Sequence, residues 1–407
     1  MAKRPTTPKR KSRGTSTKKG WRRYLHWPHG FKEWALAVLI ALNTLLAIAT
    51  FVTGIAGALR PDEHPAIAVA GMAFPAFVIA EAATVVVWLI ARKWVIAALM
   101  ALPLVVTWGN VRTHFPLNLI GGFTTAAEDS TRFTVMTYNT RCMLDLDEEL
   151  KGHSPNRMVE EILRIDADIV CLQECYGVDA AGWCGITKEQ AKAVRERYPY
   201  IIRSADEMQF LSKYPILHAD DLSAGQPSAG YDGYYAKSYF VNVKGQKINL
   251  ISIHLQSFHL EAEDKDLYQR LTSRELDDQL EEKPRYTLSY LRHTLYPRLA
   301  KALRIRAQQA DDIAAVASRA NGNVILCGDF NDTPYSYSYR TIKGSMTDAF
   351  ANSGIGYGNT YHQHHLLFRI DHIFYKGTIE AVDAYIPKSY CSDHYPVVAT
   401  FVNRKTK

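Results

Sequence analysis

Acid is almost absent from the first 33 residues of this 407-residue chain, where Glu33 stands alone against eleven Lys and Arg residues. Apolar periodicity is absent there too. The stretch KRPTTPKRKSRGTSTKK is rich in Pro, Ser and Thr, which excludes a packed core and predicts a disordered tail over residues 1–33. A basic tail before an apolar run reads as a membrane-topology signal, with a nucleic-acid arm as the other reading. The chain has no Gly-rich nucleotide fingerprint, which sets aside a dinucleotide site. It has no internal repeat, which sets aside a solenoid. Cysteine is sparse, with six in all. Cys171 and Cys327 sit inside apolar runs and read as free core residues. Cys142, Cys175, Cys184 and Cys391 lie near loops; on an outer face two could pair, Cys175 with Cys184 for instance, and the sequence leaves the connectivity open. A positive excess is missing from the rest of the chain. Residues 34–407 hold 37 basic against 40 acidic side chains, so the net +7 belongs to the tail and no field that would steer nucleic acid is evident.

Long apolar runs are what the N-terminal part does have. Trp34 to Leu59 is uncharged and long enough to cross a hydrocarbon core of about 30 Å. Arg60-Pro61-Asp62-Glu63-His64-Pro65 breaks it. A second run, residues 66–91, carries one charge, Glu81, which reads as a helix-packing or interface residue, with a functional intramembrane carboxylate as the alternative. A third, residues 94–111, is short and contains Pro103. Trp34, Trp94 and Trp108 suit interface anchors. About three transmembrane helices are therefore expected over residues 34–111. The basic tail and the Arg92-Lys93 turn both belong on the cytoplasmic side. Three crossings then place the remainder outside, and two leave it cytoplasmic.

A linker follows over residues 112–130. From about Thr131 short polar motifs punctuate β-type runs: TVMTYN ending at Asn139, DIVCLQE ending at Glu174, SIHLQS around His254, VILCGDFND around Asp329 and Asn331, RIDHIFY around Asp371, and CSDHYP around Asp393 and His394. Carboxylate, amide and imidazole at strand ends are how a sheet delivers hard oxygen ligands and a proton-transfer pair to one edge. Mg²⁺ favours few carboxylates, retained water and a substrate phosphate. Metal-assisted hydrolysis of a phosphate ester is the chemistry this set suggests. Strands are expected at Phe133–Asn139, Asp168–Gln173, Gln209–Ser212, Ala236–Val243, Ile248–His254, Val324–Cys327, Arg369–Tyr375 and Val397–Val402. Helices are expected from Ser154-Pro155 to about Arg164, with Ser154 as N-cap, from Lys188 to Tyr198, and from about Tyr286 to Arg319. The class is α+β: two packed mixed sheets flanked by helices.

Together these motifs resemble the endonuclease/exonuclease/phosphatase superfamily, which includes DNase I-like nucleases, inositol-polyphosphate phosphatases and neutral sphingomyelinases. The resemblance covers about residues 131–403, and the ordered set LQE, GDFN and SDHYP carries it. It implies a four-layer α/β/β/α sandwich with Mg²⁺ as cofactor and Mn²⁺ as the possible substitute. It also implies roles: Glu174 as principal metal ligand with Asn139 beside it and Asp393 at the metal edge; Asp329 to orient or deprotonate the attacking water; Asn331 to hold a phosphate oxygen; His394 to bind or protonate the phosphate, with Asp371 fixing its ring; His254 as acid for the leaving oxygen.

Blander readings stand beside these. His254 could be a core histidine, Asp371 could pair with Arg369, and Asn331-Asp332 could simply form a turn before Pro334. Arg141 is a candidate phosphate contact or a surface arginine. His362, His364 and His365 lack the company of a zinc site and read as an exposed loop or substrate rim. The charge-dense segment 258–297 is a helical insertion, either a solvated excursion or a cap over the site. The whole reads as a membrane-anchored phosphohydrolase, a phosphodiesterase or phosphatase, whose partners are the lipid bilayer and a phosphate-ester substrate, most simply a phospholipid head group. An extracytoplasmic nuclease is the alternative and a non-catalytic scaffold the second. No protein partner follows from the sequence.

Overall fold

Period-two alternation decides the layers. The computed structural model describes residues 30–118, 131–223, 234–258, 289–363 and 368–403. In β1 (Phe133–Asn139), Phe133 and Val135 enter the core between two sheets, whereas Met136 and Tyr138 face helices on the outside. The first sheet orders its six strands as β11 (Ile379–Tyr385), β12 (Val397–Asn403), β1, β2 (Ile169–Gln173), β4 (Gln209–Ser212) and β3 (Tyr200–Arg203). The second runs β5 (Ile216–Asp221), β6 (Tyr235–Val243), β7 (Gln246–His254), β8 (Asn323–Asp329), β10 (Asp371–Lys376) and β9 (Thr347–Asp348). The central pairs β1–β2 and β7–β8 are parallel, so four strands end on one edge.

Helices cover both outer faces. On the first sheet, α6 (Arg157–Ile165) and α7 (Lys188–Arg197) bury Met158, Val159, Ile162, Ala191 and Val194. On the second, α8 (Tyr296–Arg319) and α9 (Tyr337–Lys343) bury Ala310, Ile313, Ala317, Tyr339 and Ile342. The short α10 (Ala349–Ser353) follows β9. This is the expected four-layer sandwich. One helix start differs: Asn156, not Ser154, caps α6, accepting from the N–H of Met158 and of Val159. The Ser154 hydroxyl is taken by the carbonyl of Gly185, 2.8 Å away.

The apolar runs form a three-helix bundle. Helix α1 (Phe31–Gly54) continues as a 3₁₀ turn to Ala58 and alone has the length and composition of a membrane span. The second and third runs differ from the continuous helices expected. They are bent pairs, α2 (Pro65–Gly71) with α3 (Phe74–Ile90) at 63° and α4 (Trp94–Val106) with α5 (Trp108–His114) at 69°. Proline explains part of this. Pro75 has no N–H to continue the preceding turn and sits in the first turn of α3. At the third break the Thr107 hydroxyl bonds back to the Pro103 carbonyl at 2.7 Å. Ala47, Trp88, Ala97 and Met100 pack the interior, while Leu42, Leu45, Ile79, Val95 and Val105 are exposed apolar side chains. Glu81 is buried in the bundle and accepts from Thr50 at 3.4 Å, the packing role expected.

The domain docks on one end of that bundle. Arg60 donates to Asp311 at 2.7 Å and to Tyr337 at 2.9 Å. The Tyr335 hydroxyl donates to the Met72 carbonyl at 3.2 Å, and its ring lies 5.5 Å from that of Phe74. Asn118 donates to the carbonyls of Ala351 and Gly354, and Arg369 to that of Thr113. Of the expected linker, residues 119–130 lie outside the described residues, as do most of the 258–297 insertion and the tail up to residue 29.

Candidate active site

Asp329 is the hub. It ends β8, and register sets its neighbours: His254 lies opposite it across the parallel pair with β7, and Asp371 across the antiparallel pair with β10. The approach of β7 is close. A Cβ on Gly328 (φ +147°) would fall 1.9 Å from the Ile253 carbonyl oxygen, so the residue before Asp329 must be glycine. On the facing sheet, β1 ends in Asn139, whose Nδ2 donates to Glu174 Oε1 at 2.8 Å and to Asp329 Oδ2 at 3.0 Å. One amide thus joins the two sheets at their common edge.

His394 enters from the turn before β12. Its Nδ1 lies 2.8 Å from Asp371 Oδ2, a carboxylate acceptor, so Nδ1 carries the hydrogen. Asp371 is free for this because Arg369 pairs instead with Asp348 at 2.9 Å. The Nε2 atoms of His394 and His254 each lie 3.8 Å from Asp329 Oδ2, and that of His254 also 3.8 Å from Glu174 Oε1. These gaps are too long for hydrogen bonds and suit an intervening water or substrate oxygen. The electrostatics are matched to that. Burial, then the neighbouring Asp371 carboxylate, pushes the Asp329 carboxyl above its ordinary range, against the pull of both histidines and Asn139. Burial would lower His394, but Asp371 and Asp329 outweigh it and hold the imidazole well above its usual value. Asp329 is thus a better base than an ordinary carboxylate, and His394 keeps its proton more firmly than an ordinary imidazole.

Seven expected residues therefore converge: Asn139, Glu174, His254, Asp329, Asn331, Asp371 and His394. Asn331 is engaged within the site. Both hydrogens of its amide are taken, by the Leu255 carbonyl at 2.9 Å and by Asp329 Oδ2 at 3.3 Å, and its own N–H donates to Asp329 Oδ1 at 2.7 Å. It is a turn residue (φ +50°) that clamps Asp329. Asp393 sits half-buried at the rim, its main-chain oxygen accepting from the His362 N–H. The Arg141 guanidinium donates to the Leu144 and Asp145 carbonyls, so its own loop holds it beside the site. The His362 ring stacks 4.0 Å from that of Tyr395, and its Nε2 donates to the Ser392 carbonyl. His364 and His365 lie outside the described residues.

Sequence reading missed the supports. The Thr360 hydroxyl accepts from the N–H of Ile370 and of Asp371, fixing the start of β10. Tyr361 sets its ring edge-on to His394 at 5.2 Å. Arg306, fully buried in α8, approaches Asp332 at 3.4 Å and donates to the Gln256 carbonyl at 2.8 Å. A signal for Arg306 existed: it lies on the same helical stripe as Leu303, Ala307, Ala310 and Ile313, where an outward-facing arginine does not fit.

Two histidines poised over a buried carboxylate, beside a part-exposed glutamate, define a hydrolase of phosphoric esters that works with a metal. A family model described as the Endonuclease/Exonuclease/phosphatase family matches residues 136–394, and the chain belongs to that family. A second model, described as a domain of unknown function (DUF8431), matches residues 36–114. No curated protein matches the chain. The chain is also similar to solved structures. An endonuclease/exonuclease/phosphatase from Bacteroides vulgatus is 19% identical, covering 67% of this chain and 100% of its own, with TM-score 0.43. A mannosyl-6-phosphatase from Bacteroides thetaiotaomicron is 18% identical, covering 66% and 99%, with TM-score 0.41. The 2′,3′-cyclic phosphatase ANGEL2 is 15% identical, covering 67% and 96%, with TM-score 0.43.

Proposed function

We propose that the chain is a membrane-anchored, Mg²⁺-dependent phosphohydrolase, with Mn²⁺ as substitute, that cleaves phospholipid head groups at the bilayer surface. The observation that carries this is the short path from site to anchor. Asp329 and Tyr335, whose ring packs on Phe74, are six residues apart, which extended chain spans in at most about 20 Å. Arg369, two residues before Asp371, donates to Thr113 at the end of the bundle. Both links support a reacting edge close to the bilayer that the helices would cross.

The donor set fits a hard divalent cation. Glu174, Asp329 and Asp371 bring three carboxylates to one edge, and the Glu174 side chain is 31% exposed. The ligand atoms of Asp329, Asp371 and His394 also lie within 4.8 Å of one another. That trio is bound up in the His394–Asp371 hydrogen bond, so we assign it to proton handling and assign the metal to Glu174, with Asn139 and Asp393 alongside. Bound there, the cation would neutralise phosphate oxygens against an anionic attack. Asp329, clamped by Asn139 and Asn331, orients the water and takes its proton. The His394 imidazolium, held by Asp371, faces the phosphoryl oxygens. His254 hands a proton to the leaving oxygen. The basic sequence before α1 and the Arg92-Lys93 turn between α3 and α4 support, by the bias of Lys and Arg toward the inner side, a cytoplasmic N-terminus and an extracytoplasmic site.

The test uses the full chain in detergent with Mg²⁺. It is offered sphingomyelin and glycerophospholipid vesicles, inositol phosphates, plasmid DNA and RNA, with His394→Ala as control. Head-group release that disappears in the variant supports the reading. Variant-sensitive cleavage of DNA or RNA with inert vesicles would make this an anchored nuclease.

A further inference from the structure

The six cysteines divide by environment. Cys171 and Cys327 are in the core between the sheets. Cys175, once a candidate partner for Cys184, is fully buried and its thiol meets Gln209 Oε1 at 3.2 Å. Cys391 is buried between Tyr138 and Ser389, at 3.5 and 3.0 Å. Cys142 and Cys184 alone are half-buried.

Those two face each other. The Cys184 thiol donates to the Cys142 carbonyl at 3.4 Å. One amide nitrogen, Asn156 Nδ2, bonds both the Met143 carbonyl at 2.9 Å and the Cys184 carbonyl at 2.8 Å, so the two backbones are tied together independently of the sulfurs. The turn bearing Cys184 is itself pinned by the Ser154 hydroxyl on the Gly185 carbonyl. We propose that Cys142 and Cys184 are a disulfide-forming pair that staples the loop after Asn139 to the turn before α7.

The loop has reason to need a staple. Arg141, Cys142 and Met143 hold φ of +47°, +56° and +60° in succession, a conformation costly for non-glycine residues unless the surroundings enforce it. The loop also borders the site: the Cys142 N–H donates to the Glu174 carbonyl at 2.9 Å, and the Arg141 N–H to Asn139 Oδ1 at 3.0 Å. Oxidation removes one hydrogen from each thiol and forms one S–S bond. Those two hydrogens, as two protons and two electrons, pass to a disulfide or diazene oxidant, which is reduced to two thiols or to the hydrazine. A cross-link across 42 positions of chain would hold the strained loop in its native turn.

The test oxidises the purified full-length protein with diamide, alkylates remaining thiols, and maps peptides by mass spectrometry. A peptide pair joining Cys142 to Cys184 is expected in the native protein and in Cys175→Ala, and is lost in Cys184→Ala. The oxidised form should melt about 5 °C or more above the reduced form, a difference absent from Cys184→Ala. Singly alkylated Cys142 and Cys184 after oxidation, or Cys184 joined to a different cysteine, would overturn the pairing. A confirmed link with no change in melting would overturn the staple. Neither readout depends on the substrate.

Discussion

At the scale of residues, the site works through a carboxylate that holds a histidine and an amide that holds two carboxylates. Asp371→Asn keeps the shape but removes the charge that sustains the His394 imidazolium, so kcat/KM should fall by about 100-fold with little change in melting temperature. Glu174→Gln should lower activity at least as far, and raising Mg²⁺ should recover only part of it. An unchanged rate in either variant would remove that residue from the reaction. These residues were legible in the sequence because each is a polar residue at or beside one end of an apolar strand, and those ends share an edge. Arg141 and Asn331 were legible as site neighbours but their hydrogen-bond partners were not, since those are carbonyls elsewhere on the chain, such as Leu255. Tyr361 gave no signal, because its contact with His394 is made across a bridge between loops rather than along a strand.

At the scale of elements, the β9–β10 corner carries a buried ion pair. Burial alone would raise the Asp348 carboxyl, but the Arg369 guanidinium, His372 and the Tyr339 hydrogen bond outweigh it and hold the group below its ordinary value. A carboxyl with a depressed folded-state pKa contributes stability that is present above the unfolded value, near 4, and is lost as pH falls through the folded value. Unfolding by acid should therefore begin below about pH 4 at this corner, which hydrogen exchange at Thr347–Asp348 would follow. Arg369→Leu leaves the carboxylate buried and unpaired and should cost about 3–5 kcal/mol in denaturant melts. Long alternating strands such as β1, β6, β7 and β8 were readable from periodicity to within a few residues. The edge strand β5 was not, since most of its residues face solvent and carry no buried face to betray them.

At the scale of the whole molecule, the anchor and the hydrolase domain share an interface with unequal parts. The Arg60–Asp311 pair has both side chains more than a third exposed, so Arg60→Ala should shift the melting temperature by no more than about 2 °C. Tyr335 is buried against Phe74 and His114, and Tyr335→Ala should cost far more, about 3–5 kcal/mol. Sequence hydropathy revealed the anchor but not this docking, because an aromatic in a polar loop gives no sign of what covers it. In the proposed function this interface ties catalysis to the bilayer, so surface kinetics test the central claim most directly. Phospholipid substrate is diluted with neutral detergent in mixed micelles at constant bulk concentration, with the full chain and Mg²⁺ held fixed. Turnover should track the mole fraction of substrate in the surface and change little with salt. Turnover indifferent to surface mole fraction, together with nucleic-acid cleavage that falls steeply as salt rises, would contradict it.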